Sequence, residues 1–508
     1  MRKFLSSLQN RMLILISSII INFALVVLLI IFNMFYYYFA FSFLLTVTFL
    51  IFAYENLSSP NYKFIFSLII FIAPIFGFVL HSLTNARKST KNVRMKWRKI
   101  NYENAGKLQS NAKIFEELQT VNPNASKVAN QINATTNMPI YDKTSVAYLE
   151  SGMVYRNELI KELKSAKKFI LIEVSKIIDG EFWKEIFAVL KRKAIEGLDI
   201  KMLYDEKQCL TALKEKRAFE KFINHGIKVL PFNKIRLFST SFRFSRDKRN
   251  LFIIDGVISI SGGVEICDEY IKEEHLHFKS SDGIKVTGDA VWSQTILFFS
   301  NWRLFSKKTI DVNEYNTTIP AKAKSKHFTQ IYGRVPFYKE NINKNILISL
   351  LSLARKSVLI IQPYFIIDNE IKNTLKIVLR SGVDVKMLIS GKTEGAWKKS
   401  LTLSNFEELI KERIKIYQYD ESYMANSFIL IDDEILLYGG GLNDIRNMSY
   451  SFELATLLIG HTDLNTKIIA ETEKKIINSH LITLRDLQNL SILEKVSGTL
   501  LKFIYPLL

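Results

Sequence analysis

Hydrophobic and polar positions change rhythm along the chain, and each change predicts a different kind of structure. From Met12 to Tyr54 no residue is charged, a run about twice the ~20 residues needed to cross a bilayer. Asn33 and Met34 sit near its middle, where a tight turn divides it into two spans. A further apolar run, Phe64 to Leu83, contains Pro74 and Gly77, which membrane helices tolerate. No small-residue cleavage site follows, so the segment reads as an anchor and not as a secretory signal. Residues 100 to 140 turn polar, rich in Asn, Lys, Ser and Thr, and read as a partly helical linker. Beyond them, short fully apolar runs alternate with amphipathic segments such as Phe182–Glu196 and Glu370–Arg380. Strands apolar on both faces belong in a sheet covered by helices.

The order of these segments repeats. Ala166–Glu173 (AKKFILIE) matches Ala354–Ile361 (ARKSVLII), and Gly197–Leu203 (GLDIKML) matches Gly382–Leu388 (GVDVKML). Gly226–Val229 matches Arg413–Ile416, and Leu251–Gly256 (LFIIDG) matches Phe428–Asp433 (FILIDD). The offset stays at about 180 residues. The expected fold class is therefore α/β: N-terminal transmembrane helices, then two lobes with mixed β-sheets, related by a pseudo-twofold axis that could carry a shared site. The predicted divisions are a membrane anchor over 1–85 with two or three apolar segments, a polar linker over 86–145, a first lobe over 146–310, a second over 325–485, and an amphipathic tail over 486–508.

Charge narrows the partners. The net charge is +20, which suits anionic surfaces such as acidic lipid headgroups. No zinc finger or aromatic RNA-binding pair accompanies it, so no nucleic-acid partner is expected. Basic residues flank the apolar region on both sides: Arg2, Lys3 and Arg11 before it, and Arg87, Lys88, Lys91, Arg94, Lys96, Arg98 and Lys99 after it. The positive-inside rule places both flanks in the cytoplasm. That needs an even number of crossings, although three apolar runs are visible, so one run is re-entrant or one flank breaks the rule. The two cysteines, Cys209 and Cys267, read as core residues and argue against a disulfide framework. His275 and His277 alternate like a metal pair but stand beside Glu273 and Glu274, and the pair reads as a surface loop.

The ends of the repeat carry a resemblance. Leu251–Tyr270 reads LFIIDGVISISGGVEICDEY, and Tyr417–Glu453 reads YQYDESYMANSFILIDDEILLYGGGLNDIRNMSYSFE. These are similar to the two signatures of bacterial cardiolipin synthases of the phospholipase D superfamily. Gln362–Ile366, Gly288–Trp302, Pro60–Lys63 and Leu500–Leu508 resemble other family segments, so the likeness runs nearly end to end. The resemblance implies two His-x-Lys-x4-Asp motifs meeting between the lobes. One histidine takes up the phosphatidyl group as a phosphohistidine, and the other protonates the leaving alcohol. Lysines and asparagines hold the phosphate, and cardiolipin is made from two phosphatidylglycerols without a metal or other cofactor.

This sequence departs from that pattern in both motifs. Counting back from Asp255 puts Lys248 at the histidine position and Asn250 at the lysine position, with Glu265 at the place of an asparagine. Counting back from Asp432 puts Ala425 and Ser427 at the corresponding positions, with Leu442 at the second asparagine. A further family histidine falls near Gly283. Asp255, Asp432, Glu453 and Glu173 remain, and the two aspartates read as turn residues. A phosphoryl-accepting nucleophile needs a lone pair at neutral pH and must later leave; imidazole offers both. Alanine offers neither, and an ammonium brings charge without a lone pair. Glu265 would add negative charge where an anionic phosphodiester should sit. The histidines elsewhere are His81, His225, His275, His277, His327, His461 and His480. The leading expectation is a catalytically inactive protein at the cell membrane, its lobes cytoplasmic, binding anionic phospholipid or an active cardiolipin synthase paralogue. The alternative is an active synthase working through a rearranged site.

Overall fold

A computed structural model describes residues 2–54, 60–84, 87–108, 110–212, 219–233, 245–275, 278–306, 310–317, 325, 327–338, 340–392, 395–425, 427–445 and 447–505. His277 lies outside the described residues. The chain forms two compact units. One gathers the N-terminal helices with the helix Ile492–Ile504, and the other spans residues 96–234 and 245–491.

In the first unit, α1 (Arg2–Ile31) and α2 (Phe35–Tyr54) flank the turn foreseen at Asn33, whose φ of 55° is left-handed. The Met34 N–H closes the end of α1 on the Leu29 carbonyl at 2.7 Å, the way an αL residue commonly stops a helix. Leu13–Ile31 and Phe35–Phe52 are long and apolar enough to cross a membrane. The next apolar run is broken at Ala73 into two short helices, α3 (Pro60–Ile72) and α4 (Pro74–Thr84).

The polar stretch read as a partly helical linker is helical over most of its length. It forms α5 (Arg87–Ala105), α6 (Ala112–Val121) and α7 (Pro123–Thr136), and α7 is part of the body. Ala125, Val128, Ala129 and Ile132 are buried along one stripe of α7. The buried Gln330 amide donates to the carbonyls of Ala129 (3.0 Å) and Met138 (2.9 Å). A stripe of small apolar residues in a polar segment has the i, i+3, i+4, i+7 spacing of a packed helix, yet contributes little to average hydrophobicity.

The strands of the second unit, in chain order, are β1 (Ile140–Tyr141), β2 (Thr144–Leu149), β3 (Phe169–Val174), β4 (Asp199–Asp205), β5 (Lys228–Phe232), β6 (Asn250–Ile254), β7 (Ile258–Gly262), β8 (Lys279–Ser280) and β9 (Gly283–Gly288). They continue as β10 (Phe328–Arg334), β11 (Ser357–Gln362), β12 (Asp384–Ser390), β13 (Lys415–Tyr419), β14 (Tyr423–Met424), β15 (Phe428–Ile431), β16 (Ile435–Gly439), β17 (Glu453–Ile459) and β18 (Ser479–Leu481). Among the described residues the first sheet runs β2-β9-β7-β6-β3-β4-β5, and the second β1-β10-β17-β16-β15-β11-β12-β13-β18. Without its outermost strands, the second order repeats the first strand for strand. In each, the run from the first repeat strand is parallel (β3, β4, β5; β11, β12, β13) and the other pairings are antiparallel. Every residue of β3 is buried, as expected where helices such as Glu181–Ile195 cross between parallel strands. The core of the first lobe closes on large side chains such as Tyr155, Phe182 and Phe252.

Asp255 and Asp432 do the same job in the two lobes. Each sits in the hairpin after an apolar strand with positive φ (53° and 51°). The Asp255 carboxylate accepts the N–H groups of Lys167 (2.8 Å), Lys168 (2.7 Å) and Phe169 (3.0 Å). That of Asp432 accepts those of Arg355 (2.9 Å), Lys356 (2.7 Å) and Ser357 (2.9 Å). Each hairpin is thereby clamped to the start of the first repeat strand. Asp255→Ala strands three backbone donors and places a Cβ residue without a local acceptor at positive φ. It is expected to cost roughly 2–4 kcal/mol, read as a lower unfolding midpoint, and Asp255→Asn, which keeps one acceptor oxygen, about half as much.

Candidate functional site

Loops that precede β6 and β15 carry Lys248 and Ala425, the two positions where the resemblance implies histidines, and each loop is held by the opposite lobe. Asp247 bridges to Phe452 just before β17; the Lys248 N–H donates to the Phe452 carbonyl at 3.0 Å and the Phe452 N–H to that of Arg246 at 2.8 Å. In mirror fashion β14 pairs in parallel with β8, and the Ala425 N–H donates to the Ser280 carbonyl at 2.8 Å. These exchanges bring Lys248 and Ala425 to one cavity of about 220 Å³.

The cavity is lined by most of the residues singled out in the sequence: Lys248, Asn250, Glu265, Ala425, Ser427 and Glu453. Among the described residues lining it there is no histidine. Asp255 and Asp432 do not line it, in keeping with their clamping role. Leu442 is fully buried and does not line it either; the next residue, Asn443, does, together with Asn447. An amide is therefore present, one position beyond where the motif count puts it. Gly283, near which a histidine was sought, leaves no room for a side chain, since a Cβ there would lie 2.4 Å from the Tyr155 ring. Before it stands the buried Asp282, which accepts the hydroxyls of Tyr148 and Tyr438, each at 2.8 Å.

Asn250 and Ser427, which stand where the motif count expects lysines, are both hydrogen-bonded. Asn250 accepts from the Ser175 N–H (3.1 Å) and hydroxyl (2.9 Å) through its side-chain oxygen. The Ser427 hydroxyl donates to Gln362 at 2.8 Å. Glu265 does not bring the uncompensated charge expected of it, because Lys176 lies 3.2 Å away. Lys176 is remote in sequence from the motifs, and only the fold brings it there. The side chain of Lys248 is exposed. Lys398 also lines the cavity, its ammonium 4.7 Å from the centre of the Tyr364 ring, a cation–π distance.

Behind Lys248 lies a buried charge cluster. Arg249 is 2% exposed; its Nε donates to Asp247 at 3.0 Å and its Nη2 lies 3.3 Å from Glu173. Asn301 donates to the same Glu173 oxygen at 2.6 Å. Burial pushes the Glu173 carboxyl well above the usual range, with Arg249 opposing it. Burial also raises the Glu453 carboxyl to about 7, against the pull of Lys248 and Arg334 and with Asp247 reinforcing it.

Comparison with known proteins bears on this arrangement. The family model described as cardiolipin synthase, phospholipase D-like domain, matches residues 347–476, most of the second lobe. The cardiolipin synthase of Halalkalibacterium halodurans is 25% identical over 477 residues, covering 92% of this chain and 94% of the other. Over most of its length the chain is similar to cardiolipin synthases, and residues 347–476 match their phospholipase D-like domain. Cardiolipin synthase 1 of Staphylococcus aureus is likewise 25% identical, over 90% of this chain and 94% of that one. An uncharacterized protein of Streptococcus mutans is 28% identical over 79% of this chain and 86% of its own length. The fold is shared with the phosphatidylserine synthase of Haemophilus influenzae, at 15% identity and a TM-score of 0.57, over 76% of this chain and 98% of that one.

The buried Glu453 sets a pH dependence whose sign is fixed. Its folded value, about 7, lies above the ordinary 4.5, so the folded state holds the proton longer than the unfolded chain. Stability is full below about pH 4.5 and falls as pH rises through 7, by at most roughly 3 kcal/mol. Glu453→Gln is expected to flatten this slope, seen as unfolding midpoints at pH 5 and pH 8 that draw together.

Proposed function

We propose that this chain is a membrane-held relative of cardiolipin synthase that binds anionic phospholipid in the inter-lobe cavity without transferring the phosphatidyl group. The observation that carries the reading is a cavity that keeps its cross-lobe construction and its cations while no described lining residue offers an imidazole. Phosphatidyl transfer in two steps needs a group that attacks phosphorus and then leaves, and a second group that protonates the departing alcohol. Ala425 can do neither. Ser427 is bonded to the Gln362 amide oxygen, which is not a base, so no activated hydroxyl replaces it. Losing one such acid–base role costs roughly 100- to 10,000-fold, and here both histidine positions are changed.

Binding asks less of the site than catalysis. Lys248, Arg249 and Lys398 line the cavity with Asn443 and Asn447, a set of donors that suits a phosphodiester oxygen. Glu265 is offset by Lys176. In this reading α1 and α2 cross the membrane, and the basic residues on both sides of the apolar region keep the lobes cytoplasmic, where anionic headgroups are available.

The test uses the full chain in detergent with labelled phosphatidylglycerol. Neither cardiolipin nor free glycerol is expected above the blank, while phosphatidylglycerol binds. Lys248→Ala and Lys398→Ala are each expected to weaken binding about fivefold, the scale of one cation near a lipid phosphate. A variant carrying Lys248→His, Asn250→Lys, Ala425→His and Ser427→Lys serves as comparator. Turnover by the native chain that Lys248→Ala abolishes would instead establish a working, rearranged synthase.

A further inference from the structure

The apolar run after α2 has a geometry that a spanning segment lacks. Ile70 of α3 and Gly77 of α4 touch so closely that a Cβ on Gly77 would lie 2.9 Å from the Ile70 Cα. Farther from the break, the rings of Phe66 and His81 are 5.2 Å apart, and His81 also meets Phe49 of α2 edge-on at 5.0 Å. Both contacts, 70 with 77 and 66 with 81, are centred on the Ala73–Pro74 junction. Equal spacing about one point defines two antiparallel helices. A kinked continuous helix would hold Ile70 and Gly77 about 10 Å apart along its axis. Pro74 begins the second helix without an N–H to satisfy, and Gly77 lets the backbones approach as small residues do between membrane helices.

The tip is tied to its neighbours. Tyr38 of α2 donates its hydroxyl to the Ile72 carbonyl at 2.7 Å, and Asn22 of α1 donates to the Tyr38 oxygen at 3.2 Å. The Ile72 carbonyl ends α3 and has no helical partner of its own, and in hydrocarbon such a group must be bonded. Asn22 lies midway along the apolar stretch Leu13–Ile31. The outer face of the hairpin is apolar: Phe64, Leu68 and Ile72 form an exposed stripe at helical spacing, with Phe78 exposed on α4. At 13 and 11 residues the arms reach about 20 and 16 Å, short of a hydrocarbon core of about 30 Å.

We infer that α3 and α4 form a re-entrant hairpin whose outer face is solvated by the acyl chains of a single leaflet, and that the chain leaves the membrane on the side where α3 entered. The protein then has two crossings, an even number. The conflict between three apolar runs and two basic flanks disappears, because the third run never crosses. The inference rests on the reading that α1 and α2 span the membrane.

Single cysteines in the full-length chain test it, with an N-terminal tag marking one face. The native Cys209 and Cys267 are buried, so the parent chain serves as the blank. With a membrane-impermeant maleimide, Lys91→Cys is expected to react from the face of the N-terminal tag and Met34→Cys from the opposite face. Leu68→Cys and Ile72→Cys, whose side chains point away from the helix contacts, are expected to react from neither face, and to react with a permeant maleimide. Lys91→Cys or Ile72→Cys reacting from the Met34 face would show that the run crosses, and would overturn the hairpin inference alone. Met34→Cys reacting from the tag's face would overturn the spanning reading beneath it.

Discussion

The meeting of Lys248 and Ala425 in one cavity depends on an exchange of backbone between the lobes. The Lys248 N–H reaches the Phe452 carbonyl, and the Ala425 N–H reaches that of Ser280. Neither loop finishes its hydrogen bonding within its own lobe, and a buried backbone group left unpaired is costly. The two loops are therefore placed by the opposite lobe, and what they carry meets in one cavity. Gly263 belongs to the same constraint. A Cβ there would come 2.9 Å from the Ala425 carbonyl, so the glycine after β7 is what allows the second loop to approach the first lobe.

This construction makes no use of the side chains that chemistry would need. Backbone bonds hold positions 248 and 425 whether they bear imidazole, ammonium or methyl. The charge cluster behind Lys248 is different, because its members depend on one another. Removing one partner of a buried ion pair typically costs about 3–5 kcal/mol, so Arg249, Asp247 and Glu173 are constrained by folding alone. The same holds for the clamps at Asp255 and Asp432, where one carboxylate gathers three N–H groups. Substitutions at the exposed Lys248 are nearly free of such costs, while those at buried members of the cluster, including Arg249 in the cavity wall, are not.

That division also explains what could be read from the sequence. The strands were legible because they are apolar on both faces, and the repeated segments carried the equivalence of the two sheets. The turn at Asn33 was legible because an apolar run too long for one crossing must fold back. The body segment around α7 was not, since Ala125, Val128, Ala129 and Ile132 form a narrow stripe among Asn, Ser and Thr. The partner of Glu265 was not, because Lys176 stands on a loop whose position is set by tertiary contacts. The displacement of the amide from Leu442 to Asn443 was equally hidden, since a motif count assumes a fixed register in a turn of three positive-φ glycines, 439 to 441. Hydropathy registers an apolar run and not its reversal, so the break at Pro74 needed coordinates.

The frame is two-fold, but the charges it now presents are not. Lys248 and Arg249 come from the first lobe's motif, whereas the second lobe's motif offers Ala425 and Ser427. Its cation, Lys398, comes instead from the helix Ala396–Leu403, outside the repeated signature, and stands over Tyr364. In the symmetric pattern that the family resemblance implies, a phosphate is gripped alike from both sides while a bond to it is made and broken. Here an anion would meet ammonium and guanidinium on one side, and amide, hydroxyl and a single aromatic-backed lysine on the other. An anion bound there would meet unlike donors on its two sides and so take a preferred orientation. The backbone keeps a two-fold frame while the charges placed on it do not follow that symmetry.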